Sequence, residues 1–185
     1  MIHDDTVDRT MSGTGEVSNL TYSELLEMTI DEGNGIENYP ALKISTLDEA
    51  LDICEKYSMR AMIEIKGGEP EDMKGVLDIL GKREFEKEPL IIDFNEDRVS
   101  ALRELDKEIE IWYLVNKIED DTIEFAKENK TGIGFNFGIP KNYFRIKEAQ
   151  SEGITLASWT VDFLPVLDIL VALDVKYITT NRILP

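Results

Sequence analysis

The sequence predicts an α/β protein in which strands and helices alternate around a parallel sheet. From about residue 40 onward, short runs of β-branched and aromatic residues alternate with longer stretches of helical period. Capping boxes mark the starts of two helices. The length of 185 residues, with 42% hydrophobic and 31% charged residues, suits a single globular domain over residues 1–185.

The predicted elements follow one another regularly along the chain. The strand candidates cover residues 61–66, 90–94, 109–115, 132–137, 154–161 and 176–180. The helix candidates cover residues 46–57, 70–84, 96–106, 120–130, 141–152 and 163–173. An earlier capping box, Thr21 with Glu24, predicts a short helix that ends before Gly33.

Helix starts and apolar faces support these assignments. Thr46 and Glu49 form a capping box, and Asn95 can cap the helix that presents Val99, Leu102 and Leu105. The core side of the helix after Thr46 is predicted to carry Leu47, Ala50, Leu51, Cys54 and Tyr57. As the only cysteine, Cys54 excludes an internal disulfide and a cysteine-rich zinc site, and its spacing favours a buried, inert thiol.

The charge balance limits the choice of partners. With 20 basic and 38 acidic residues the net charge is −18, which opposes binding to nucleic-acid phosphates or an anionic membrane surface. No apolar run reaches the roughly 18 residues that a membrane span needs. The polar, acidic N-terminus is unlike a secretory signal. We therefore expect a cytoplasmic protein with no nucleic-acid partner and no membrane span.

One strand ends in a pair of opposite charges. Glu64 and Lys66 alternate with Ile63 and Ile65, so both side chains can point to one side. Functional side chains of a parallel β/α barrel lie at the C-terminal ends of its strands, where such a pair suits a metal ion and a phosphate. A structural salt bridge at the strand end explains the same spacing.

Other candidate residues are less specific. His3, the only histidine, lies near the terminus, where a surface position is the simpler interpretation. Trp159 lies late in a strand, where it can line a ligand pocket or fill the sheet interior. The sequence contains no Gly-rich phosphate loop, and one His with one Cys makes a catalytic triad hard to build.

Several short motifs follow one another along the chain. His3–Thr10 reads H-D-x-x-x-x-R-T, and Ile63–Lys66 reads I-E-I-K. Further motif segments are Gly13–Val17, Leu20–Leu25, Pro40–Leu51, Ser158–Asp162 and Tyr177–Arg182. In this order they resemble the motifs of the glycerophosphodiester phosphodiesterase family, which often has Ser-Phe where this chain has Asp93-Phe94.

This resemblance implies a (β/α)8 TIM-type barrel that cleaves glycerophosphodiesters to glycerol 3-phosphate and an alcohol with a divalent cation, calcium or magnesium. It implies that Glu64 ligates the metal and that Lys66 lies near the phosphate. It also implies that His3 is one of two acid/base histidines and that Trp159 borders the glycerol or head-group pocket. The substrate would be a small glycerophosphodiester.

The family motifs that precede the H-D motif are not found in this sequence. The H-R-G strand, the E-N-T helix and the E-x-D strand carry the second histidine, the phosphate-binding arginine and further metal carboxylates. We therefore expect an N-terminally truncated barrel without its first β/α unit and most of its second strand. Metal binding would then be weak or absent, and the open sheet edges could drive homo-oligomerisation. The alternative function is a catalytically incompetent binding or self-assembling module.

Overall fold

A computed structural model describes residues 1–182 and divides the chain into two compact units, Met1–Met59 and Arg60–Pro185. Each unit has its own apolar cluster and is described separately. Among the described residues, no helix is both long enough and apolar enough to cross a membrane.

The first unit is built from short helices and turns. Helix α1 spans Tyr22–Glu27 and helix α2 spans Leu47–Lys56. The predicted capping boxes are present at both starts: Thr21 accepts from the Glu24 amide, and Thr46 accepts from the Glu49 amide. The buried residues of this unit come from separate turns and helices, and they include Val7, Met11, Leu25 and Ile44.

The second unit is a six-stranded parallel sheet with strands in the order β1-β2-β3-β4-β5-β6. The strands are β1 (Met62–Glu64), β2 (Leu90–Asp93), β3 (Glu110–Val115), β4 (Gly132–Asn136), β5 (Leu156–Trp159) and β6 (Tyr177–Ile178). The connecting helices are α3 (Met73–Leu80), α4 (Glu96–Leu105), α5 (Asp120–Glu128), α6 (Pro140–Ser151) and α7 (Leu164–Ala172). Every predicted strand and every predicted helix is therefore confirmed; their ends are the same or shorter, except that α6 begins one residue earlier, at Pro140.

The two faces of the sheet have different surroundings. One face, which we call the helix face, packs against α5, α6 and α7 through a cluster that includes Ile123, Ile146 and Leu170. The other, which we call the inner face, carries a cluster made only of strand residues: Leu90, Ile92, Trp112, Leu114, Ala157, Trp159 and Tyr177. Because side chains alternate along a strand, a residue whose register partner lies in this cluster also faces inward.

Close packing on the inner face requires glycine in β4. A Cβ atom on Gly132 would come within 2.5 Å of Cδ1 of Trp112. A Cβ atom on Gly134 would come equally close, 2.5 Å, to Cδ2 of Leu114. Trp112 and Leu114 of β3 therefore lie over β4 at two positions where β4 has no side chain.

Some predicted core positions are wrong in detail. Leu105 and Tyr57 were expected on apolar helix faces, but they are 52% and 62% exposed. Both lie at a helix C-terminus, beyond the residues that contact the core. Cys54 is half-buried rather than fully buried.

A buried arginine organises the opposite, N-terminal end of the sheet. Arg103 of α4 is 8% exposed. Its guanidinium donates to the carbonyl oxygens of Asp106 and Ile109 before β3 at 3.0 and 2.9 Å. It also donates to those of Asn129 and Lys130 before β4 at 2.8 and 3.2 Å. One side chain thus fixes two neighbouring connections.

Candidate functional site

The candidate site lies at the C-terminal edge of the sheet, where all six parallel strands end. Glu64 is the last residue of β1, and its register partner Ile92 belongs to the inner cluster. Glu64 therefore faces inward, and Lys66, two residues later, donates from Nζ to Oε1 of Glu64 at 2.7 Å. The structural salt bridge is thus formed, with the Lys66 side chain still 33% exposed and the Glu64 side chain 24% exposed.

Two aromatic rings lie on the same face. Trp159 ends β5, and its Nε1 donates to the Gly134 carbonyl at 3.0 Å. Phe94 follows β2 and packs edge-to-face on Trp159, with 5.5 Å between the ring centroids. Trp159 therefore fills part of the sheet interior, while Phe94 is 43% exposed at this edge of the sheet.

Amide side chains follow the central strands. Asn116 and Asn136 lie after β3 and at the end of β4, and Nδ2 of Asn136 donates to Oδ1 of Asn116 at 3.2 Å. The fully buried Asn142 of α6 donates to the backbone carbonyls of both residues at 2.8 and 2.9 Å. Its own Oδ1 accepts from the Ile118 amide at 2.9 Å. The ends of β3 and β4 are therefore held together by one side chain.

A buried ion pair lies at the end of β2. Asp93 is 0% exposed and accepts from Nε and Nη2 of Arg98, both at 2.7 Å. Asp93 also accepts from the Asn95 amide at 2.8 Å, and Asn95 caps α4 through the Arg98 amide at 2.9 Å. The bidentate bond to Asp93 raises the pKa of Arg98 above its ordinary value.

The last loops of the sheet are joined by Asp162, which follows β5. Its carboxylate accepts from the backbone and side-chain amides of Asn181 at 2.8 and 2.9 Å and from the Thr180 hydroxyl at 3.1 Å. These hydrogen bonds lower the pKa of Asp162. Asp162 therefore accepts the hydrogen bonds that hold the loop after β6.

His3 belongs to the first unit and is part of a short polar relay there. Its Nδ1 lies 2.9 Å from Oδ1 of Asp4. Arg9 binds the same carboxylate through Nε and Nη2 at 2.5 and 3.0 Å. The Arg9 guanidinium, and to a lesser degree His3, holds the pKa of Asp4 far below its usual range. The His3 side chain is 71% exposed, as expected for a residue near the terminus.

The donor set does not suit a closed divalent-cation site. Within residues 1–182, no group of three or more His, Cys, Asp or Glu side chains lies close enough together to hold a metal ion. Calcium takes about six to eight oxygen ligands, and magnesium requires a near-octahedral set. Glu64 supplies one carboxylate, which is already bound to Lys66. A metal ion bound by Glu64 would therefore find no cluster of further carboxylate ligands among the described residues.

The sequence predicts Glu64, Lys66 and Trp159 as site residues, but it does not predict the contacts of their neighbours at this edge of the sheet. Asp93 ends a strand of apolar residues, and an Arg five positions later falls in the first turn of the next helix. That combination was a usable signal for a buried ion pair. No comparable signal exists for Asn116, Asn136 and Asn142, because their contacts join two strand ends to a helix that follows both.

Comparison with known proteins identifies relatives of this chain. Human glycerophosphodiester phosphodiesterase 1 is 34% identical over 68 residues, which are 36% of this chain and 20% of the human protein. A glycerophosphodiester phosphodiesterase of Caldanaerobacter subterraneus is 26% identical over 167 residues, covering 88% of this chain and 68% of that protein. The match thus spans about a fifth of the human relative's length.

Solved structures share the fold. An Oleispira antarctica phosphodiesterase in complex with the product sn-glycerol-3-phosphate superposes with a TM-score of 0.87 at 20% identity. The superposition covers 97% of this chain and 74% of that one. A glycerophosphodiester phosphodiesterase from Parabacteroides distasonis gives a TM-score of 0.75 at 21% identity, over 90% of this chain and 68% of that one.

These likenesses agree with an α/β fold whose six-stranded parallel sheet curls as a half-barrel. The sequence profile of the glycerophosphoryl diester phosphodiesterase family matches residues 1–184, nearly the whole sequence. The chain belongs to the glycerophosphoryl diester phosphodiesterase family.

Proposed function

We propose that this chain hydrolyses glycerophosphodiesters to sn-glycerol 3-phosphate and an alcohol. The family match over residues 1–184 carries the proposal. The Oleispira antarctica relative, bound to sn-glycerol-3-phosphate, supports the choice of substrate class. The Glu64–Lys66 pair at the C-terminal edge of the sheet supports the location.

In the proposed reaction, a water oxygen or a glycerol hydroxyl of the substrate attacks phosphorus, and the bond from phosphorus to the leaving alcohol's oxygen breaks. The Lys66 ammonium offsets the negative charge that develops on the phosphoryl oxygens. The leaving alkoxide takes up a proton and departs as the alcohol. If the glycerol hydroxyl attacks, water then opens the cyclic phosphate to give sn-glycerol 3-phosphate.

His3 is proposed as the acid/base group of this reaction because it is the only imidazole in the chain. Its Nδ1 bonds to Asp4, and Nε2 has no hydrogen-bond partner within residues 1–182. A carboxylate that orients the ring and leaves the second nitrogen free is the arrangement a general acid or base requires.

Cation binding is proposed to be weak, because Glu64 is the one implied ligand and Lys66 occupies it. We also propose that the six strands correspond to the last six of an eight-stranded barrel, since the I-E-I-K motif falls on β1 and the closing motif on β6. A cytoplasmic location remains part of the proposal.

The test is release of sn-glycerol 3-phosphate from glycerophosphocholine by the 185-residue chain, followed by ³¹P NMR with calcium, with magnesium and with a chelator. We expect slow release that falls about 100-fold in Lys66→Met, the scale of losing one charge-stabilising group. Lys74→Met is the matched control, because Lys74 forms an ion pair with Asp78 on α3, at 2.6 Å. Release that is unchanged in Lys66→Met would contradict the role of this residue.

A second candidate function is a binding or self-assembling module without turnover. Two observations favour this function. The set of metal donors is incomplete, and β1 and β6 each pair with a single strand within residues 1–182. The same experiment separates the two functions. No release by the wild-type chain under any of the three conditions would reject the hydrolase and leave the module.

A further inference from the structure

The buried ion pair at the end of β2 also contacts the loop that carries Lys66. Arg98 uses Nε and Nη2 on Asp93, and its remaining nitrogen, Nη1, donates to the Gly68 carbonyl at 3.3 Å. Gly68 lies two residues after Lys66 along the chain. One guanidinium therefore connects β2, α4 and the loop after β1.

The ion pair is fixed in place by its burial. Asp93 is 0% exposed and the Arg98 side chain is 13% exposed, so each charge requires the other to offset its loss of hydration. The carboxylate is additionally bonded to the Asn95 amide at the start of α4. Arg98 thus presents Nη1 from a rigid base rather than from a mobile side chain.

The loop after Lys66 contains two glycines and is next fixed at Glu69, whose amide donates to the Asp72 carboxylate at 2.9 Å. Gly67 and Gly68 follow Lys66 directly, and Gly68 has a φ of +91°, a conformation that glycine adopts at low cost. On the other side of Lys66, the Ile65 amide donates to the Ile92 carbonyl at 3.1 Å. Lys66 is therefore held between one fixed point in the sheet and two contacts that follow it, that of Gly68 with Arg98 and that of Glu69 with Asp72.

We infer that Arg98, supported by Asp93, is a positioning residue that holds Gly68 and thereby fixes the backbone of Lys66 against Glu64. The inference rests on the proposed function for its catalytic consequence, since the position of Lys66 matters only if Lys66 meets a phosphate. Misplacing such a group by about 1 Å can cost as much as 100-fold in rate.

Arg98→Lys tests this tether. Lysine keeps a positive charge beside Asp93, but a single ammonium cannot reproduce the three-nitrogen fork that reaches Asp93 and Gly68 together. We expect backbone order parameters of Gly67 and Gly68, measured by ¹⁵N relaxation, to fall from about 0.85 toward 0.6. We also expect kcat for glycerophosphocholine to fall by up to about 100-fold with KM little changed, because the displaced Lys66 ammonium no longer meets the charge that develops on the phosphoryl oxygens.

Arg60→Lys is the matched control. Arg60 donates to the Glu88 carbonyl and to the Glu110 carboxylate, each at 2.6 Å, at the N-terminal end of the sheet. Its replacement removes the same kind of contact and should leave the order parameters of Gly67 and Gly68 unchanged. If Arg98→Lys does not fold, Asp93→Asn with Arg98→Gln removes both buried charges together and loses the same tether.

The two proposals fail in distinguishable ways. Absence of turnover in the wild-type chain would reject the proposed function, and the relaxation measurement would still decide the tether. Order parameters of Gly67 and Gly68 that stay at the wild-type value in Arg98→Lys would overturn the positioning role. A drop of the same size in Arg60→Lys would also overturn it, because the effect would then be global.

Discussion

At the residue scale, Asp4 shows how one contact sets a protonation state. Arg9 and His3 both favour the charged carboxylate, so the pKa of Asp4 in the folded chain lies far below the value of about 3.9 in an unfolded one. A lowered pKa stabilises the fold above the unfolded pKa. That contribution is lost as the pH falls from about 4 through the folded pKa.

Arg9→Gln should raise the pKa of Asp4 back toward its ordinary range, because it removes the guanidinium that lowers this pKa most. We expect the ¹³C shift of the Asp4 carboxyl carbon to show no titration step near pH 4 in the wild-type chain and a step there in the variant. Lys43→Gln, which removes a cation bonded to the Glu27 and Met28 carbonyls, is the control in the same unit. A wild-type titration step near pH 4 would contradict the assignment.

Residue-level contacts were only partly predictable. Glu64 and Lys66 follow from strand alternation, because positions two apart share a face. The Asp93–Arg98 pair has a local signal, an aspartate that ends an apolar strand and an arginine in the first turn of the next helix, but its bidentate geometry depends on the turn between β2 and α4. Tyr57 and Leu105 fit the helical period but lie where the helices leave the core.

At the element scale, Asn142 couples α6 to two strands. Asn142→Asp keeps the acceptor for the Ile118 amide but places a carboxylate oxygen against the carbonyl oxygens of Asn116 and Asn136. We expect the free energy of unfolding in urea to fall by about 3 kcal/mol, because buried carbonyls lose their donor and gain a repulsive neighbour.

Asn38→Asp serves as the control for that substitution. Asn38 is exposed and donates to the Gly35 carbonyl at 3.1 Å in the first unit. Its change should stay within about 0.5 kcal/mol, as for ordinary surface substitutions. Equal losses in the two variants would mean that the amide of Asn142 has no special role at the ends of β3 and β4.

The elements themselves were predictable from local signals. Thr46 with Glu49 and Asn95 with Arg98 form the predicted caps, since capping depends on residues within one turn. The order of the strands also followed from the chain, because consecutive parallel strands joined by helices usually become neighbours. The clamp by Asn142 was not predictable, because it joins residues 26 positions apart.

At the scale of the whole molecule, β1 and β6 are the outermost strands of the sheet that residues 1–182 form. Unpaired strand edges are sites of association between chains. We expect sedimentation equilibrium at micromolar concentration to show reversible self-association. It is best measured near 0.15 M salt, where a Debye length of about 8 Å screens the repulsion between chains of net charge −18.

Met62→Lys should shift that equilibrium toward the monomer, because it places a charge on an outermost strand. Met62 lies in β1 and is 44% exposed. Met59, outside any strand and 50% exposed, gives the matched control Met59→Lys. A compact monomer across the whole concentration range in the wild-type chain would contradict association through the edges.

The contacts of Arg103 make two loops thermodynamically interdependent. Its guanidinium donates to carbonyls before β3 and before β4. If the Arg103 side chain left the core, both sets of carbonyls would lose their donor at once. Opening of one loop therefore weakens the other, so the two behave as a single cooperative unit of local unfolding. The most stable part of the sheet would then be its β3–β4 centre, with exchange of backbone amides beginning at its flanks.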